Sequence, residues 1–66
     1  MSLTHRRAQM LRELRTTAGF TQHDLSRRLG VGERSIQRIE RGDFRPRDDL
    51  IESWERVCRL NATSVN

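Results

Sequence analysis

The stretch "LGVGERSIQRIERG", Leu29 to Gly42, decides how this chain folds. Two glycines flank one valine, and the ten residues after Gly32 carry two large apolar side chains, Ile36 and Ile39. Their separation is helical, so they share one face, and Glu33, Arg34, Gln37 and Arg38 fall on the other. Glycine enters left-handed backbone without a Cβ penalty, so Gly30 is expected where a preceding helix ends. Gly32 can serve as a weak cap for a helix over Glu33 to Arg41, which closes at Gly42. Gly30-Val31-Gly32 is then a tight turn that lets two short helices meet steeply, with Val31 plugging the corner.

Upstream, Ala8, Leu11, Leu14 and Ala18 recur at helical spacing, which predicts a helix from about His5 to Thr17, stopped by Gly19. Thr21 offers its hydroxyl to the amides of Gln22-His23-Asp24, so a second helix runs from Gln22 to Leu29 and buries Leu25 and Leu29. Beyond the loop Asp43-Phe44-Arg45-Pro46-Arg47, Asp48 is read as the cap of a fourth helix through roughly Arg59. Its stripe is Leu50, Ile51, Trp54, Val57 and Cys58. No alternating β-branched run suggests a strand. The fold class is all-α: a small bundle of four or five short helices over residues 1–60, followed by a disordered tail at 61–66.

A chain of 66 residues is one small domain, marginal unless something staples it. The single cysteine, Cys58, rules out an intramolecular disulfide and suits a reducing compartment. One Cys and two separated histidines, His5 and His23, assemble no metal site, and no cofactor is expected. No segment is apolar enough to span a bilayer or serve as a secretory leader, so the expectation is a soluble cytoplasmic protein. All thirteen basic side chains are arginine, and the formal net charge is +4. Residues 1–47 hold eleven arginines against five acids, whereas residues 48–66 hold two against four. Guanidinium forks match phosphate oxygens and guanine edges, so the basic part suits a polyanion met by one face. On charge alone, a plain solvated surface explains the arginines equally well.

With these elements in place the chain resembles the Cro and repressor type of helix-turn-helix domain, the lambda-repressor-like or XRE-like fold. Gln22, Leu25, Gly30, Val31, Ile36, Ile39, Glu40 and Gly42 carry the likeness, which extends from Leu11 to about Leu60. Thr-Gln before the second helix, Gly-Val at the turn and Ile-Glu-Arg-Gly at the end of the third, all in register, make it specific. Three features depart from the pattern. Ser26 stands where the family has a small alanine, Gly32 replaces a Ser, Thr or Asp cap, and the sequence stops at Asn66, short of a fifth helix many members use.

The resemblance implies that the third helix lies in the major groove of double-stranded DNA, with Glu33, Arg34, Gln37 and Arg38 at base edges. It implies phosphate or minor-groove contacts from Gln22, Arg41, Arg45 and Arg47, and a structural ion pair between Arg15 and Glu40. Arg6 and Arg7 suit either a basic arm along the backbone or a frayed terminus. Phe20 and Phe44 read as core or loop anchors. Cys58 is most simply a small buried hydrophobe. Trp54 belongs either to the core or to an interface, and Trp54, Val57 and Cys58 together are the candidate dimer or partner surface.

The leading functional expectation is a sequence-specific transcriptional regulator, a repressor bound to a pseudo-palindromic operator as a homodimer. The alternatives are a protein-binding module of the same fold, such as an antitoxin or anti-repressor using helix 48–59, or the N-terminal DNA-binding part of a longer regulator. No nucleophile, base and orienting group gather in the sequence, and a chain this small has little room for a substrate cavity. Neither an enzyme nor a small-molecule substrate is therefore expected.

Overall fold

Ile36 and Ile39 are enclosed in the computed structural model, which describes residues 3–64, and the helices around them are arranged to keep them so. The helices are α1 (Leu3–Thr17), α2 (Gln22–Leu29), α3 (Glu33–Glu40) and α4 (Asp48–Ser64). No strand occurs among the described residues. Helix α4 lies against α1 and α2, and α3 against α1 and α2. Between them sits one core of Leu11, Ala18, Phe20, Leu25, Ile36, Ile39, Ile51, Trp54 and Cys58. Each large apolar side chain enclosed there contributes on the order of 1.5–3 kcal/mol. Leu14, Leu29, Val31, Leu50 and Val57 close the core from its margins, so Leu29 is half-buried rather than fully buried.

The candidate surface of Trp54, Val57 and Cys58 is corrected by this packing. Trp54 and Cys58 are sealed inside and Val57 is half-buried. The Trp54 indole Nε1 donates to the Leu11 carbonyl oxygen at 3.0 Å, so its one polar group is satisfied within the core. A fifth helix is not needed to cover this stripe, because α1 and α2 already do so. Burial also pushes the Cys58 thiol above its usual pKa, which keeps it neutral and unreactive.

Helix boundaries differ from expectation at the two ends of the chain. Helix α1 begins at Leu3, so Arg6 and Arg7 stand on a helix and form no loose arm. Helix α4 takes Asp48 into its first turn, with the Ile51 amide donating to the Arg47 carbonyl at 3.0 Å. It then runs to Ser64 where a tail was expected from residue 61; residues 65 and 66 lie outside the described residues. The cause is visible at Asn61, whose Nδ2 donates to the Ala18 carbonyl at 2.6 Å. That carbonyl lies just past the last turn of α1, where acceptors lack helical partners. The last turns of α4 are thereby tied to the body of the domain.

Candidate nucleic-acid interface

The elbow between α2 and α3 is built by local hydrogen bonding. Thr21 Oγ1 accepts from the Asp24 amide at 3.0 Å, and Asp24 Oδ2 accepts from the Thr21 amide at 3.1 Å, a closed capping box. The backbone N–H of Thr21, with its hydroxyl second, holds the Asp24 carboxyl below the usual aspartate range. At the other end of α2, Gly30 is left-handed at φ 70° and its N–H donates to the Ser26 carbonyl. The Val31 amide reaches the same carbonyl at 3.1 Å, which brings the valine against the core. Ser26 is accommodated despite its hydroxyl, because Oγ donates back to the His23 carbonyl at 2.8 Å. Gly32 caps α3 from extended backbone with no side-chain hydrogen bond.

Helix α3 therefore points its polar side away from the core. Arg34 and Arg38 are exposed, and Glu33 and Gln37 are half-buried beside them. Neither arginine makes an ion pair among the described residues. The Arg38 guanidinium lies 5.8 Å from the centroid of the Phe44 ring, within cation–π reach. Phe44 is half-exposed, with Leu3, Ala8, Leu11, Ile39 and Pro46 around a cavity of about 70 Å³ at its side. Sequence reading placed Phe44 as an anchor and missed its contact with Arg38; the spacing of six residues across a glycine turn carries no helical signal.

Arg15 and Glu40 face each other across the domain. Arg15 Nε donates to Glu40 Oε2 at 2.6 Å and Nη2 to Oε1 at 3.0 Å, a two-point fork. Arg15 Nη1 also donates to the Phe20 carbonyl at 2.9 Å. Gln22, at the start of α2, adds Nε2 to Glu40 Oε1 at 3.1 Å. One carboxylate thus ties α1, α2 and α3 together. A primary amide has a second hydrogen, so Gln22 keeps one donor for an anion at the α2 N-terminus, where the helix dipole favours negative charge.

Arg41 comes to the same open groove as Gln22, Gln37 and Glu40, and there it is joined by Arg12 from α1. Arg12 was absent from the sequence-based contacts. It lies three residues before Arg15, hence on the same helix face as a residue already tied to Glu40, and that spacing could have revealed it. Arg41 Nε lies 3.5 Å from Asp43 Oδ2, with both side chains exposed. Arg45 and Arg47 are exposed on the loop between α3 and α4; Arg45 borders the cavity beside Phe44 rather than the Gln22 groove.

Among the described residues no group of His, Cys, Asp and Glu could hold a metal ion, and no helix is long and apolar enough to cross a membrane. In comparisons with known proteins, a family model described as "Helix-turn-helix" matches residues 11–64. No curated protein and no solved structure matches the chain. The matched span takes in the elbow, the α3 face and α4. The chain belongs to the helix-turn-helix family of the Cro and repressor type, whose members are DNA-binding transcriptional regulators rather than enzymes.

Proposed function

We propose that this protein is a cytoplasmic repressor that binds a pseudo-palindromic operator as a homodimer, with α3 in the major groove. The observation that carries the reading is the two-sided character of α3: Ile36 and Ile39 enclosed, Arg34 and Arg38 exposed and without ion pairs among the described residues. Arginine forks suit guanine O6 and N7, and Gln37 suits adenine N6 and N7. Gln22, Arg12 and Arg41 are read as the phosphate clamp beside that helix, with Arg45 and Arg47 contacting the backbone or minor groove from the loop. A homodimer is favoured because one short helix reads only a few base pairs, and two related by symmetry double the site.

Selection of bound duplexes from a random pool tests the proposal. A symmetric enriched motif with half-sites about one helical turn, roughly 34 Å, apart is the expected result. An asymmetric motif removes the homodimer, and a pool that stays random removes operator recognition altogether. Repression is tested by a promoter fused to the enriched site, whose output should fall when the protein is present.

The competing reading is a protein-binding module that docks through α4. Burial of Trp54 and Cys58 counts against it, since those side chains were its anchors. Charge reversal at Arg34 and Arg38 separates the two: operator binding should vanish, whereas a partner held by α4 should be unaffected.

A further inference from the structure

We infer that Glu33 is a positioning residue, not a base contact, and that it sets Gln37 to read an adenine in the major groove. The inference rests on the DNA-binding reading above and concerns how one base pair is discriminated. Glu33 stands in the first turn of α3, and both of its carboxylate oxygens are engaged within the protein. Oε1 lies 3.1 Å from Nδ1 of His23, reaching across the elbow from α2. Oε2 accepts from Nε2 of Gln37, one turn along α3, at 3.3 Å. His23 steadies the carboxylate from behind, and the carboxylate steadies the glutamine in front.

The chemistry follows from the amide. An ionised carboxylate only accepts hydrogen bonds, so the Gln37 side chain must turn its nitrogen, not its oxygen, toward Glu33. A primary amide carries one hydrogen beside its oxygen and one opposite. A bidentate adenine contact uses the oxygen, accepting from N6, and the hydrogen beside it, donating to N7. The opposite hydrogen is spare, and Glu33 can take it without consuming that edge. The Gln37 oxygen has no partner among the described residues. An amide free to flip presents donor and acceptor in either order. One held by Glu33 presents a single order, the order complementary to adenine.

The test uses the whole chain and the duplex pool described above, with Gln37→Ala, Glu33→Ala and Glu33→Gln beside the native protein. Gln37→Ala identifies the base pair that Gln37 reads, and the native preference for adenine there is expected to be about tenfold. Glu33→Ala should lose that preference at the same base pair while keeping helix content; its affinity for unrelated duplex should not fall, since a carboxylate facing the phosphates has been removed. Glu33→Gln, whose amide can donate as well as accept, no longer dictates the order of the Gln37 amide and should weaken the preference. The inference is overturned if Glu33→Ala leaves the adenine preference intact. It is overturned too if Glu33→Ala changes a different base pair from Gln37→Ala, since Glu33 would then read a base of its own. Glu33→Gln keeping the full native preference would show that an acceptor-only partner is not what orders the amide, and also overturns it. No enrichment by the native protein sinks the DNA-binding reading itself, and this inference with it.

Discussion

Glu40 is 4% exposed at its side chain and its partner Arg15 is 11% exposed, so this fork is formed largely out of water. In that setting, loss of one partner strands the other, whereas loss of both leaves a site that apolar groups can fill. Glu40→Ala is expected to cost about 3–5 kcal/mol, read from the urea midpoint, which is most of the stability a domain this small possesses. Arg15→Met with Glu40→Met should recover much of it; a double variant no more stable than Glu40→Ala would show that the cost is not that of a stranded Arg15 charge. The partnership of Arg15 and Glu40 was legible in the sequence only through resemblance, since 25 residues separate them and no periodicity links them. Gln22 was read as a phosphate ligand on the same grounds, but its bond to Glu40 had no sequence signal. An amide at a helix start offers no clue to which carboxylate will fold against it.

At the scale of elements, α2 and α3 begin differently. Helix α2 has a full capping box, whereas α3 starts at a glycine in ordinary extended backbone, φ −69°, with open space where a Cβ would stand. Gly32→Ser is therefore expected to stabilise the domain by a few tenths of a kcal/mol, raising the melting temperature by about 1–3 °C. An unchanged or lower midpoint would show that the weak cap is not limiting. The Asp24 carboxyl titrates below its ordinary range in the fold, so the unfolded chain takes up its proton first as pH drops. Its contribution is complete above the unfolded value near pH 4 and disappears as pH falls through the lower folded value. Urea midpoints of the native protein and Asp24→Asn should therefore converge on acidification. Parallel midpoints down to about pH 2 would dissociate the box from acid stability. The elbow and its caps were readable because their signals are local: Thr21, Asp24, Gly30 and Gly32 act within a few residues of themselves. The extent of α4 was not, because Asn61 earns its place in a helix only through a carbonyl at residue 18, 43 positions away. The fate of Trp54 was undecided for a similar reason; a stripe reveals that a face is apolar, not which helix covers it.

For the molecule as a whole, charge sets how binding should respond to salt. Four arginines per subunit, Arg12, Arg41, Arg45 and Arg47, are read as backbone contacts, so a dimer would displace counterions at both half-sites. A plot of log affinity against log salt should have a slope of about −7. A slope near zero, measured on the enriched duplex, would contradict phosphate clamping through these side chains. The bonds that Glu40 makes to α1 and α2 have a further consequence on this scale. They leave α3 little freedom to tilt against the body that carries it, so on the proposed docking adaptation would fall to the nucleic acid. In the proposed dimer, any mismatch between the spacing of two such heads and that of successive grooves would have to be taken up by curvature or twist of the duplex. The untouched central base pairs would then be chosen for their stiffness: flexible pyrimidine–purine steps should bind differently from rigid A-tracts, although no side chain reads either.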